Sequence, residues 1–303
     1  MPLSLNARAL SNVHSPVIDT EEDVPLKLSR ILMVVAIALF VARAGVAVDS
    51  KVVFEVAIAN LSPSSSSSAD WGWWNPGKYD EWHFDDSAEF GLADVRLGVS
   101  GKTYTVILDG EWYPTLNAEG SADLGPGEDE LVQQLSLKNS VYDLGIGQWL
   151  GKNSRTGVMS WIGVTYMQIN EHRTTVPPPD SGAPEVTDRA DSNLWGVVFG
   201  ADASYQVWST LDVTGRLLFR WATGTRTAEI SSQDPGGGGS TGGTAELSDS
   251  IDTGMWGIDL GLRWNATKAF WLEVGWRYRD QTYDRGPATY GGPQIKAAYV
   301  LWR

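Results

Sequence analysis

The sequence predicts an all-β fold: a closed, antiparallel, transmembrane β-barrel of about ten strands, or about eight on the smaller count, with long outer loops and short inner turns. Three observations predict it. Ten segments alternate apolar and polar residues with period two, as a pleated surface requires. The apolar row of those segments is unusually aromatic, and the connections between them are alternately short and long.

Composition narrows the class. The chain has 303 residues, 42% of them hydrophobic, which is enough apolar material for a packed structure. Its 15 Trp and 10 Tyr exceed what a routine core uses and suit a boundary where one end of a ring is apolar and the other wet. Cysteine is absent and histidine occurs three times, so thiolate chemistry, zinc-thiolate sites and histidine-rich metal centres are excluded. No cofactor or metal is expected. The net charge of −14 leaves no basic footprint for a phosphate backbone, so nucleic acid is not an expected partner.

The N-terminus has the plan of an export signal. Lys27 and Arg30 precede an apolar run over 31–42, and small residues follow, offering cleavage after Ala44 or Ala47. The run is about a dozen residues, short of the ~20 that a spanning helix needs. Residues 1–47 are therefore read as an N-terminal extension and signal peptide, and residues 48–303 as the barrel.

The segments follow in order. Residues 51–61 set Val52, Phe54, Val56 and Ile58 against Glu55, and 89–99 set Val95, Leu97 and Val99 against Asp94 and Arg96. Residues 104–113 oppose Val106, Leu108 and Trp112 to Asp109 and Glu111. In the fourth, 135–150, the apolar face changes between Leu137 and Tyr142, which reads as a bulge near Asn139. The fifth, 158–169, is the least clear in phase, and the sixth, 194–205, places Trp195, Val197 and Phe199 opposite Gly196, Gly200 and Asp202. The seventh, 211–221, opposes Leu217, Phe219 and Trp221 to Arg216 and Arg220. In 255–264 and 270–280, Trp256, Leu260, Val274 and Trp276 face away from Asp259, Arg263, Glu273, Arg277 and Arg279. Residues 294–303 close the chain.

Short connections at 100–102, 151–156, 206–210 and 265–269 separate long ones at 62–86, 114–130, 170–192, 223–253 and 281–292. Long loops are improbable inside a compact soluble domain, and in a membrane barrel they form the outer face. A secreted β-sandwich would also alternate, but would not explain this regular change of loop length. The aromatic and aliphatic row then faces lipid. Trp149, Trp208, Trp271 and Trp302 mark one interfacial girdle, and Trp112, Tyr113, Trp195, Trp221, Trp256, Trp276 and Tyr278 the other.

The charged row faces the lumen. Its acids are Glu55, Asp94, Asp109, Glu111, Asp143, Asp202, Asp212, Asp259 and Glu273; its bases are Arg96, Arg216, Arg220, Arg263, Arg277, Arg279 and Lys296. A barrel of about ten strands is only slightly wider than one of about eight, which side chains just fill. Opposite charges held in so narrow a space pair, so the expected interior is an ion-pair plug. A narrow solute channel is the alternative.

The exported part resembles the small Gram-negative outer-membrane barrels, and its strand count resembles that of the omptins, outer-membrane peptidases. Two stretches carry the local resemblance: "SADWGWWNPG" within 68–77 and "INEHR" over 169–173. It implies Asp70 and His172 as a carboxylate and an imidazole that activate water across a cleft. Ser68 and Asn170 stand where the family carries aspartates, and neither supplies a carboxylate for that work. The chain is accordingly read as non-enzymatic, with an omptin-like peptidase or its inactive relative as a further alternative. Trp71, Trp73, Trp74 and Trp82, crowded into the first long loop, are candidate surface-binding residues able to stack a sugar or a partner's apolar patch.

The expected function is a structural, adhesive or surface-binding barrel in the cell outer membrane. Its expected partners are outer-membrane lipid and lipopolysaccharide and the barrel-assembly machinery; the sequence names no extracellular ligand.

Overall fold

The computed structural model describes residues 51–65, 81–84, 89–101, 104–122, 131–152, 155–176, 185–233, 244–283 and 286–302. The expected signal peptide lies outside them, as do Asp70, Trp71, Trp73 and Trp74, and Trp82 is described by its backbone alone. The described residues all fall in one compact unit, Gly45–Arg303.

Every element among them is a strand: β1 (Lys51–Ser65), β2 (Glu81–Phe84), β3 (Glu89–Ser100), β4 (Tyr104–Trp112), β5 (Leu116–Ala122), β6 (Leu131–Lys152), β7 (Thr156–Val176), β8 (Glu185–Trp208), β9 (Leu211–Gln233), β10 (Thr244–Trp264), β11 (Phe270–Tyr283) and β12 (Gly286–Trp302). All pairings are antiparallel, and β1 joins β12 while β6 joins β7, so the sheet closes on itself. β4 and β5 both pair with β6, and β3 and β2 pair in turn with β4 and β5, so β4 with β5 and β2 with β3 each occupy one stretch of wall, and the barrel has 10 strands. Closure leaves no long unpaired edge.

The outward row is apolar over about ten residues per strand, the span that a tilted strand needs to cross hydrocarbon. Phe199, Leu260, Val274 and Ile295 are each about half exposed (49%, 56%, 56% and 54%), and they form part of a belt around the barrel. Such a belt would be a large exposed apolar patch in water, and in a bilayer it is the lipid contact. Trp195, Trp221, Trp256 and Trp276 edge it above, and Trp208 and Trp264 below. At the upper edge the Trp256 indole packs on Tyr278 and donates from Nε1 to Asp280 at 3.0 Å, one side greasy and one polar.

Three expectations are corrected. Tyr113, Trp149 and Trp271 are not girdle residues. Tyr113 is buried against Tyr290 in the interior, and Trp149 and Trp271 line the inner mouth, where Trp271 carries the Arg263 guanidinium at 3.9 Å. The long outer connections are mostly strand: β7 to β10 run far above the aromatic edge. On β9, Thr223, Thr225, Thr227 and Glu229 point out there, while Ala222, Arg226, Ala228 and Ile230 point in. Beyond the bilayer the outer face meets water, so polar residues move outward and small or apolar ones inward.

The same inversion explains the fourth segment. β6 passes Asn139 in unbroken register with β7, with Leu135, Leu137, Asn139, Val141 and Asp143 all turned inward. The irregularity lies in the facing strand, where Tyr113, Pro114 and Thr115 interrupt β4 and β5, and Tyr113 N donates to Asn139 O. Proline has no N–H for the ladder, and it breaks the strand there.

Candidate functional site

The interior is layered from the short-turn end upward. A vestibule of about 1000 Å³ opens at that end, bordered by Arg96, Asp202, Arg263, Lys268 and Trp271. Above it, at the depth of the apolar belt, the lumen is filled by ion pairs. Arg220 donates to Asp143 at 2.7 Å and to Glu111 at 2.9 Å. Arg279 bridges Glu111 at 2.8 Å and Asp259 at 2.6 Å, and Lys296 reaches Asp259 at 2.9 Å. Arg277 joins Asp94 to Asp259. Arg216 contacts Glu55 at 3.0 Å and Asp202 at 2.9 Å, and Asp202 also receives Arg96 at 2.8 Å. Arg263 pairs with Glu273 at 2.9 Å, and Glu273 with Lys296 at 3.5 Å.

These contacts form one continuous network. Asp94, Arg96, Asp109, Glu111, Asp202, Arg216, Arg220, Asp259, Arg263, Glu273, Arg277 and Arg279 all belong to it, joined by Glu55, Asp143 and Lys296. Asp212 stands apart at the rim, accepting from Asn265 Nδ2 at 2.9 Å. Arginine suits this work because its planar fork can engage two carboxylates while staying charged. Glycines make the room: a Cβ on Gly257 would lie 2.4 Å from Arg279 Cδ, and one on Gly261 would lie 2.8 Å from Glu273 Cγ. This is why the charged row of β10 alternates Asp259 and Arg263 with glycine.

An apolar layer covers the network on the outer side. Leu137, Met167, Leu194, Met255 and Tyr290 pack around Tyr113, whose hydroxyl donates to Glu111 beneath. Higher still, Glu171 receives Arg173 and Arg226, the latter at 2.8 Å. Sequence reasoning missed both layers, because it assigned apolar residues to lipid throughout. The signal was present in the Thr-x-Thr-x-Thr row of 223–227, whose polar face can only be the wet one.

His172 lies on the outer face of β7, above the aromatic edge, beside Arg189 of β8. Partial burial, followed by the Arg189 charge, holds its imidazole below the usual histidine range, and Asp188 pulls the other way. Asn170 is on the same outer row and donates to Asp191. Glu171 and Arg173, the sequence neighbours of His172, are the ones that point inward.

Among the described residues no helix is long and apolar enough to cross a membrane. No family model matches the chain, and the comparison with curated proteins finds no match. Among solved structures the barrel is similar to the outer membrane protease OmpT from Escherichia coli, with a TM-score of 0.51 and 10% identity over 83% of this chain and 97% of that one. It also matches the outer membrane protein OprG from Pseudomonas aeruginosa (TM-score 0.36, 13% identity, 84% and 96% covered). A third match is Ail, the attachment invasion locus protein of Yersinia pestis (TM-score 0.27, 12% identity, 84% and 99% covered). At such identities the likeness to OmpT speaks for the fold and for nothing in the chemistry. The chain has the closed, ten-strand fold of a Gram-negative outer-membrane β-barrel.

Proposed function

We propose that this protein is a non-conducting, non-enzymatic outer-membrane barrel that anchors an acidic outer surface, with a structural or adhesive role. The observation that carries the reading is the wall-to-wall ion network beneath an apolar layer. Most charges in it are held by partners on other strands, and a solute would have to break several buried pairs to pass. Purified protein in planar bilayers is expected to give negligible conductance. Large, steady single-channel steps would overturn the plugged reading in favour of a narrow channel.

A peptidase reading draws on the fold shared with the protease OmpT and on His172 and Asp70. The outward direction of His172 favours the non-enzymatic reading, because an imidazole on the outer wall faces away from the interior. Dibasic peptides are expected to remain uncut; cleavage that is lost in His172→Ala would reverse this. Lipopolysaccharide is the proposed partner of the belt and the polar wall above it. The assembly machinery is the proposed reader of the last strand, where Ile295, Tyr299 and Leu301 hold the outward alternation before the basic Arg303.

A further inference from the structure

The lumen network does not balance. It contains eight carboxylates (Glu55, Asp94, Asp109, Glu111, Asp143, Asp202, Asp259 and Glu273) against seven bases (Arg96, Arg216, Arg220, Arg263, Arg277, Arg279 and Lys296). One negative charge is left over at the depth of the lipid belt. A buried charge without compensation is costly, so its location matters.

The surplus falls on Asp109. This residue is 4% exposed, and neither of its carboxylate oxygens accepts a hydrogen bond among the described residues. Its nearest cation is Arg216 Nη1, 3.7 Å from Oδ2 and already engaged with Asp94. Arg96, directly across the β3–β4 ladder, spends both Nη groups on Asp202. Asp94 Oδ1 is likewise without a partner.

Asp94, Asp109 and Glu111 each present one oxygen within 4.8 Å of the others. Three oxygens at that spacing allow one small ion to touch all of them at about 2.4–2.8 Å, the range of hard cations. No loop motif predicts this cluster, because the ligands come from neighbouring strands: Asp94 sits on β3 directly opposite Glu111 on β4, with Asp109 next on the same inward row.

We propose that Asp94, Asp109 and Glu111 hold one monovalent alkali cation, of sodium size, as a built-in counter-ion of the barrel interior. A single positive charge brings the network to neutrality, whereas a divalent ion would overshoot it by the same amount in a site that water does not screen. The inference stands apart from the proposed function, since a channel and a plug need the same balance.

The test is unfolding of the folded barrel in detergent, followed by tryptophan fluorescence, in sodium chloride against tetramethylammonium chloride at matched ionic strength. With sodium at about ten times its dissociation constant, the unfolding constant of the wild type is expected to fall about tenfold. Asp109→Asn, which removes the surplus charge with little change of shape, is expected to unfold identically in the two salts. Equal behaviour of the wild type in both salts would overturn the proposal, as would a sodium effect that persists in Asp109→Asn. A larger shift with calcium or magnesium would overturn the monovalent assignment, and a response to pH without one to sodium would give the position to a proton. If the variant does not fold, sodium NMR line broadening on the wild type, reversed by excess lithium, reads the same site; unbroadened signals would refute it.

Discussion

Arg220 on β9 and Asp143 on β6 meet at 2.7 Å with both side chains fully buried, although β7 and β8 lie between their strands in the wall. The contact therefore ties together wall positions that the hydrogen-bonded ladders do not join directly. Arg220 also holds Glu111, so Arg220→Met would leave Asp143 without its partner and Glu111 with Arg279 and Tyr113. Removing one side of a buried pair costs about 3–5 kcal/mol, while replacing both sides by apolar groups of similar volume is often neutral. Urea unfolding in lipid vesicles should show a loss of that size for Arg220→Met. The double variant Arg220→Met/Asp143→Leu should recover part of it, with Glu111 still held by Arg279.

The belt assigns depth to individual residues. Leu260 lies outward near the middle of the membrane part of β10, whereas Thr225 lies outward on β9 above the Trp221 edge. Arginine at a barrel's lipid-facing midplane costs about 2–4 kcal/mol and close to nothing beyond the interface. Leu260→Arg is thus expected to destabilise by about 3 kcal/mol in vesicles, and Thr225→Arg to leave the unfolding midpoint unchanged. Equal effects at the two positions would place the bilayer elsewhere on the wall.

Gly257 offers a test of the interior that changes no charge. The Arg279 side chain lies across it, and a Cβ there would sit 2.4 Å from Arg279 Cδ. Gly257→Val forces that chain off Glu111 or Asp259, and overpacking of this kind costs about 1–3 kcal/mol. Gly254, on the same strand with nothing near its Cβ position, is the control: Gly254→Ala should be close to neutral by the same measurement.

The part of the fold that crosses the membrane was legible because lipid imposes a simple rule on it. Where the outer face must be apolar, period-two alternation fixes both strand and facing, and Glu55, Asp94, Asp259 and Arg279 could be assigned to the lumen from the sequence. The rule lapses above the aromatic edge. There Leu137 and Ile169 turn inward while Thr225 and His172 turn outward, so the same alternation has the opposite meaning and 223–233 read as loop. Tyr113, Trp149 and Trp271 were misplaced because an aromatic ring near an interface does not declare which side of the wall it occupies. The balance of the network was hidden for a different reason. Counting acids and bases on the inward row includes Asp212, and only the contacts show that Asp212 stands outside the buried set while Asp109 within it lacks a hydrogen bond.

His172 gives a pH-dependent prediction whose sign follows from its surroundings. Its site on the outer wall is partly desolvated and lies beside the positive Arg189, both of which disfavour the imidazolium, while Asp188 opposes them. The folded state therefore binds a proton at His172 more weakly than the unfolded chain does. A histidine depressed in this way adds stability above its ordinary pKa of about 6.5 and loses that contribution as pH falls through that value, where the unfolded chain takes up the proton first. The site is partly exposed, so the effect on global stability is small, and the titration itself is the sensitive readout. Two-dimensional NMR of the folded barrel should show His172 titrating below the ordinary histidine value. In Arg189→Gln the midpoint should move upward, whereas Asp188→Asn should move it further down. A midpoint at or above the ordinary value in the wild type would mean that His172 is paired with an acid not yet identified, and would reopen the case for a working imidazole on this face.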